Sequence, residues 1–166
     1  ALYSQLFCAI YLDADGNFWT ASVHDASNPK KTKSGCLVKY HYPSGKTTVY
    51  PAGKGISFAS SIVLDITCDA KGNVYLLNKF GVCQLNSGSG KTSVYYSNEL
   101  LPDNTYVSME LDAKNRLWLG TLTNGIVVYD IPTNKYILLK GQPTLLSNDM
   151  LMQASTQDDN NHLYFW

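Results

Sequence analysis

The chain has 166 residues, and its 13 Lys and Arg residues balance 13 Asp and Glu residues, so its formal net charge is zero. This balance lacks the basic excess that nucleic-acid binding needs, and we expect no nucleic-acid partner. A content of 45% apolar residues at zero net charge excludes an intrinsically disordered chain, and the length suffices for a buried core.

The remaining composition favours strands and tight turns over helices. Asn, Asp and Gly are abundant, whereas Glu99 and Glu110 are the only glutamates and Arg116 is the sole arginine. Asp, Asn and Gly form turns, while Glu and Arg favour helices. No stretch approaches the ~18 apolar residues of a membrane span, and the first residues lack the pattern of a signal peptide. We therefore expect no membrane contact by this segment itself.

A short motif recurs along the chain, beginning with Asp and carrying an aromatic residue six positions later. Its copies are residues 13–20 (DADGNFWT), 69–76 (DAKGNVYL), 112–119 (DAKNRLWL) and a degenerate 158–165 (DDNNHLYF). The first half of the motif is a turn sequence, and the second half reads as a strand. Because the aromatics keep one position, we expect them to pack between neighbouring repeats; they are Trp19, Tyr75, Trp118 and Tyr164.

A second motif lies between the copies of the first: a short apolar strand, a turn, and a Lys that opens another strand. The apolar strands are residues 37–41, 82–86 and 126–130, and the lysines are Lys46, Lys91 and Lys135. The turns before these lysines end in Gly or Asn, which accept the positive φ that hairpins require. The Asp of the first motif recurs at intervals of 56, 43 and 46 residues and the Lys of the second at 45 and 44. A period of this length is typical of a β-propeller.

Each repeat therefore reads as four antiparallel strands, A to D, and four such strands form one propeller blade. Strand A is predicted over residues 61–68, 106–111 and 150–156, and strand B contains the aromatic residue. The predicted fold class is all-β, with about 3.5 to 4 blades. The predicted units are residues 5–58, 59–103, 104–147 and a truncated 148–166. Because propellers have about four to eight blades, we expect residues 1–166 to form part of a larger propeller, for which seven blades is one option.

Residues 112–130 (DAKNRLWLGTLTNGIVVYD) resemble the repeat of the two-component regulator propeller family. That repeat reads Asp-x-x-Gly-x-Leu-Trp-x-Gly-Thr, followed by Gly-Leu and a strand that ends in Tyr-Asp. The other repeats depart from it, since Tyr75 replaces the Trp and the Gly-Thr pair after the aromatic occurs only at Gly120 and Thr121.

Propellers of that family form the periplasmic sensor region of hybrid two-component histidine kinases. The resemblance therefore implies a periplasmic segment without catalysis of its own, which binds a glycan or another small molecule. Its implied partners are that small-molecule or oligosaccharide ligand and other propeller blades or a second protomer. Signalling through the membrane would require the ligand to bind two arrangements of the protein with different affinity.

Blade connectivity predicts which face binds the ligand. Because strands A to D alternate in direction, the tight A–B and C–D turns share one face, and the longer B–C and D–A connections share the other. Long loops on a rigid scaffold usually carry binding sites, so we place the ligand on the second face. The candidate contacts there are Asn78, Lys79, Asn104, Tyr106, Thr121, Thr123, Asn124, Asn148 and Asp149, with His24 and Asp25 from an insertion in the first repeat. The alternative is that all are solvated loop residues.

No residue pattern points to a catalytic group, a cofactor or a metal site. Residues 88–92 (GSGKT) resemble a phosphate-binding loop, but the position where that loop needs its first Gly is Leu85. The cysteines form no C-x-x-C pair, and buried thiols are favoured over disulfides, although the sequence leaves their state open. They are Cys8, Cys36, Cys68 and Cys83.

Two other functions stay open at this point. A propeller lyase or lactonase would place a metal at the central axis, for which the sequence offers scattered candidates: Asp65, Asn104, Glu110 and Asn148. A scaffold propeller that binds other proteins would instead carry a large apolar patch on its open face.

Overall fold

The computed structural model describes residues 7–22, 36–51, 63–78, 81–96, 106–122, 125–139, 155–157 and 162–165. Within these ranges every regular element is a β-strand, so the predicted all-β fold class is confirmed. No helix in the described ranges is long and apolar enough to cross a membrane.

The described strands form three groups of four and a final pair. The first group is β1 (Phe7–Leu12), β2 (Asn17–Ser22), β3 (Cys36–His41) and β4 (Lys46–Pro51). The second is β5 (Val63–Cys68), β6 (Asn73–Asn78), β7 (Gly81–Asn86) and β8 (Thr92–Tyr96). The third is β9 (Tyr106–Leu111), β10 (Arg116–Thr121), β11 (Ile126–Asp130) and β12 (Lys135–Leu139), and the pair is β13 (Ser155–Gln157) with β14 (Leu163–Phe165).

Each group of four forms one sheet, and its strands pair in sequence order. The pairing is antiparallel throughout the first and third sheets. Such sheets are the four-stranded blades that the repeats predict. Strand A of the third repeat coincides with the prediction, and β5 covers residues 63–68 of the predicted 61–68. β13 covers residues 155–157, whereas residues 61–62 and 150–154 lie outside the described part of the chain.

The chain divides into two compact units, residues 1–78 with 82–95 and residues 79–81 with 96–166. In the first unit, β1 and β2 lie against β5. In the second unit, β9 lies against β13. Strand A of one repeat therefore contacts strand A of the next within each unit, as expected for consecutive blades.

The core of the first unit lies between its two sheets. Its buried side chains are Trp19, Ala21 and Leu37 from the first sheet and Val63, Ile66, Val74, Leu76, Cys83 and Leu85 from the second. Trp19 is 1% exposed, which confirms that this motif aromatic packs between repeats. Trp118 packs against Ile126 and Val128 of its own sheet, and its packing against the next repeat stays a prediction. The side chain of Tyr164 lies outside the described part of the chain.

Strand A carries the same irregularity in all three four-stranded sheets. Its register with strand B shifts between Phe7 and Ala9, between Val63 and Asp65, and next to Tyr106. Each shift is a β-bulge, which bends the strand and increases its twist. The sequence motifs do not predict it, because a bulge is a property of the pairing between two strands.

Both tight turns of each blade use the left-handed backbone region. The A–B turns contain Gly16, Gly72 and Asn115 at φ values of 76°, 77° and 58°. The C–D turns contain Gly45, Gly90 and Asn134 at 68°, 68° and 56°. The prediction that these turns need residues tolerant of positive φ is therefore confirmed.

Two cysteines have described side chains, and both are free thiols. Cys83 is buried and Cys68 is partly buried. Burial raises the pKa of the Cys68 thiol, and the nearby charges of Asp13 and Asp69 raise it further. A protonated thiol is a poor nucleophile, so the raised pKa disfavours reaction of the Cys68 thiol. The side chains of Cys8 and Cys36 lie outside the described part of the chain.

Candidate functional site

Three of the ligand-binding candidates from the sequence lie in the described ranges, and all three are buried. Asn78 ends β6, and Tyr106 faces Thr121 across the β9–β10 pair. The Thr121 hydroxyl donates a hydrogen bond to the carbonyl oxygen of Gly125 (2.8 Å), the residue before β11. Their ligand-binding role stays a prediction, as it does for the candidates outside the described ranges: His24, Asp25, Lys79, Asn104, Thr123, Asn124, Asn148 and Asp149.

The first Asp motif is held together by one carboxylate. Asp13 Oδ1 accepts hydrogen bonds from the backbone N–H groups of Asp15 (3.1 Å) and Asn17 (2.9 Å). Its Oδ2 accepts from the indole N–H of Trp19 (2.8 Å). A single side chain therefore fixes both the turn and the aromatic residue of strand B.

The other described copies of the motif repeat this network. The Asp69 carboxylate accepts hydrogen bonds from the backbone N–H groups of Lys71 (2.9 Å) and Asn73 (2.8 Å). The Asp112 carboxylate accepts them from the backbone N–H groups of Lys114 (2.9 Å) and Arg116 (3.0 Å). The Trp118 indole N–H donates to Asp112 (2.9 Å), and the Tyr75 hydroxyl makes a longer contact with Asp69 (3.4 Å). These bonds explain the constant spacing between the Asp and the aromatic, which the sequence attributes to packing alone.

The third copy adds an ion pair to the network. The Arg116 guanidinium lies 2.6 Å from Asp112 Oδ2 and 5.4 Å from the centre of the Trp118 ring. Arg116 occupies the position where the first two copies have Asn, whose side-chain amide donates to the same carboxylate. Arg116 therefore still supplies a side-chain hydrogen-bond donor to the motif Asp, as Asn does in the first two copies.

Hydrogen bonding controls the ionisation of two of these carboxyl groups. Burial raises the pKa of Asp13, but hydrogen bonds from Trp19, Asn17 and Asp15 outweigh it, so the pKa lies below its ordinary value. For Asp112, burial is likewise outweighed by bonds from Trp118, Arg116 and Lys114, and the pKa is again lowered. Both groups are therefore structural anions, engaged by their own turns.

A polar groove lies in the first unit, at the end of the sheets where the A–B and C–D turns are. Its volume is about 660 Å³, and we call it the turn-end groove. The first sheet contributes Asn17, Lys39, His41, Lys46, Thr48 and Tyr50 to its lining. Asp15 from the β1–β2 turn and Ser87 from the β7–β8 turn complete it.

Strand register explains why these side chains meet. Lys39 pairs with Trp19 and with Thr48, and His41 pairs with Lys46, so all of them lie on one face of the sheet. Next to the core, this face is apolar and packs against the second sheet. Towards the turns it becomes polar and lines the groove.

Aromatic contacts fix the inner wall of the groove. Tyr50 stacks on Trp19, with ring centroids 5.9 Å apart, and its hydroxyl donates to the carbonyl oxygen of Ser87 (3.2 Å). Burial raises the pKa of Tyr50, so the hydroxyl stays protonated and able to donate. The Lys39 ammonium lies 5.1 Å from the centre of the Trp19 ring.

The binding face predicted from the sequence is at the opposite end of the blades, and no sequence motif points to this groove. Lys39 is the fourth residue of β3, where β7 has Gln84 and the third repeat has Val128. A charged residue at this position in the first repeat alone is the sequence signal that could have pointed to the groove.

The residues that a metal-dependent lyase or lactonase would use do not form a metal site in the described part of the chain. Asp65 lies on β5 and Glu110 on β9, while Asn104 and Asn148 lie outside the described residues. Among the described side chains, no group of three or more His, Cys, Asp or Glu residues is placed to hold a metal ion.

Residues 100–123 match the family model of the two component regulator propeller. The match contains the third Asp motif and the Gly120–Thr121 pair, and it confirms the resemblance drawn from the sequence. No curated protein matches the sequence of the chain.

Solved structures share the propeller fold at low identity. The extracellular domain of BT4673 from B. thetaiotaomicron, named as a hybrid two component system, is 17% identical with a TM-score of 0.67. The alignment covers 96% of this chain and 20% of that chain. The extracellular domain of BT3049 from the same organism, also named as a hybrid two component system, is 14% identical with a TM-score of 0.59. The alignment covers 96% of this chain and 27% of that chain.

A structure named as a gluconolactonase is similar as well. It is 12% identical with a TM-score of 0.63, and the alignment covers 94% of this chain and 53% of that chain. At these identities, the likeness to all three structures establishes the fold, and the activity of each remains a property of that protein.

Proposed function

We propose that this chain, which carries a two-component regulator propeller repeat, is a ligand-sensing propeller segment of an extracytoplasmic sensor histidine kinase. The observation that carries the proposal is the match of residues 100–123 to the repeat of that family. The neighbours named as extracellular domains of hybrid two component systems support it. The chain spans 20% and 27% of those domains, so kinase activity is proposed for a whole protein rather than for these blades.

The proposed ligand is a glycan or another small molecule, met in the periplasm, and the proposed role is binding without turnover. The state of the motif carboxylates supports this role. Asp13 and Asp112 each hold a turn and an aromatic residue, and hydrogen bonding keeps them ionised. A carboxylate held in this way is a poor general acid, because a general acid needs a pKa near the working pH.

The test is a calorimetric titration of the protein with neutral and acidic oligosaccharides, run beside a lactone-hydrolysis assay with and without added divalent metal. We expect at least one saccharide to bind and no lactone to be hydrolysed. A library without a single binder would contradict the glycan ligand. Metal-dependent hydrolysis would contradict the sensory role.

A second candidate function is a metal-dependent propeller hydrolase, and the gluconolactonase-named neighbour is the observation that favours it. This alternative predicts a stoichiometric metal in the purified protein and loss of lactone hydrolysis after chelation. Metal analysis of the protein as purified separates the two functions, because the sensor needs no metal for binding.

A further inference from the structure

We propose that the turn-end groove binds a small organic anion, a hydroxyl-bearing molecule with a carboxylate or sulfate group. The groove lies at the A–B and C–D turn end of the first sheet, whereas the binding face predicted from the sequence is at the other end. The proposal concerns binding alone, so it holds or fails independently of the sensory role.

The charge of the groove selects an anion. Two ammonium groups, of Lys39 and Lys46, line it together with one carboxylate, of Asp15. Among the described residues, neither ammonium lies within ion-pair distance of a carboxylate. An anionic ligand would supply the missing counter-charge in a partly enclosed site, where charge-assisted hydrogen bonds are stronger than in open solvent.

The Lys39 ammonium is held in place before a ligand arrives. It lies 5.1 Å from the centre of the Trp19 ring. That ring is fixed by its hydrogen bond to Asp13 (2.8 Å) and by the stacked Tyr50 ring. A positioned side chain loses less conformational entropy when it binds, so the site is organised for recognition.

The remaining lining indicates a polar ligand of moderate size. A groove of about 660 Å³ lies within the range of small-molecule sites. The Thr48 hydroxyl faces it, and among the described residues no hydrogen bond engages that hydroxyl. Thr48 and the two lysines together offer donors both to an oxyanion and to ligand hydroxyl groups.

The fold does not require this charge. In the second repeat, Gln84 stands at the position of Lys39 and donates to the Tyr75 hydroxyl (3.1 Å). In the third repeat, Val128 stands there and belongs to an apolar cluster. Lys39 is therefore a residue that the blade architecture tolerates but does not need, which favours a binding role.

The test compares two lysine variants by isothermal titration with glucuronate, inorganic sulfate and glucose. Lys39→Gln places in the groove the residue that the second repeat uses, so the fold should persist. Lys91→Gln is the matched control, because Lys91 holds the position of Lys46 in the second repeat and does not line the groove. Circular dichroism and thermal unfolding verify that each variant is folded.

We expect glucuronate or sulfate to bind the unmodified protein and glucose to bind at least about tenfold more weakly. Lys39→Gln should weaken the binding of the anion about tenfold, and Lys91→Gln should change it less than about twofold. Three results would overturn the proposal: no binding of either anion at millimolar concentration, glucose binding as tightly as glucuronate, or equal losses in the two variants.

Discussion

At the residue scale, the repeated Asp is required because it has two acceptor oxygens. One oxygen of Asp13 accepts backbone N–H groups of the turn, and the other accepts the indole N–H of Trp19. An Asn at this position would offer one oxygen and an N–H₂ group, which cannot accept the indole hydrogen. The recurrence of Asp in the three described copies of the motif therefore has a chemical cause.

Substitution of Asp112 by Ala tests this reading. Asp112 is 8% exposed, and its removal leaves two backbone N–H groups and the Trp118 indole without their acceptor. Because a buried donor without an acceptor costs about 1–3 kcal/mol, we expect the free energy of unfolding to fall by about 2–3 kcal/mol. Urea denaturation followed by tryptophan fluorescence measures it.

The matched control is Lys114→Ala, an exposed side chain in the same turn. It should change the free energy of unfolding by less than about 0.5 kcal/mol. If both variants lose the same stability, the Asp network does not hold the turn and the recurrence of Asp needs another explanation.

At the element scale, each blade depends on two turns that require positive φ. The first two sheets meet this requirement with Gly, whereas the third uses Asn115 and Asn134. Asn tolerates the left-handed region better than other non-glycine residues, because its short polar side chain bonds locally. The turn geometry therefore persists although the Gly of the motif is lost.

Asn115 is the position at which this tolerance can be measured. Its φ is 58°, and its side chain is exposed, so substitutions there change backbone energy with little effect on packing. We expect Asn115→Ala to lower the free energy of unfolding by about 1 kcal/mol, and Asn115→Gly to leave it within about 0.5 kcal/mol. Chemical denaturation of both variants measures the difference.

Thr133→Ala is the control for an exposed turn residue of ordinary φ, and it should be neutral within about 0.5 kcal/mol. An Asn115→Ala variant as stable as the unmodified protein would show that the strain at this turn is negligible.

At the scale of the whole molecule, stability should depend on pH through the motif carboxylates of both compact units. Asp13 lies in the first unit and Asp112 in the second, and the pKa of each is lowered in the folded state. The unfolded chain takes up these protons near pH 3.9, so the stabilisation is complete above about that pH. It is lost as the pH falls through the lower, folded pKa values.

We therefore expect the free energy of unfolding to decrease when the pH is lowered from about 5 to about 3. Urea titrations at several pH values measure this decrease. In Asp112→Asn, which cannot ionise at that position, the decrease should be smaller. An Asp112→Asn variant with the same pH dependence as the unmodified protein would remove Asp112 from the acid response.

The repeat, the four-strand blade, the turn positions and the family resemblance are all visible in the amino-acid sequence. Those features rest on local chemistry: Gly and Asn permit the turns, and alternating apolar residues define the strands. The Asp and the aromatic residue were visible in the sequence as a spacing. Their hydrogen bond was not, because the Asp lies in the turn and the aromatic residue on strand B, and the two side chains meet only when the turn has its folded geometry.

The strand A bulges and the turn-end groove become visible only in the folded structure. Lys39 and Lys46 belong to the same repeat, but Ser87 belongs to the next one, and no motif of the sequence brings it to them. They share one groove because cross-strand pairing puts the lysines on one face, and the second sheet brings its turn against that face. Binding surfaces of this kind depend on packing between blades, which the repeat pattern, read along one chain, does not contain.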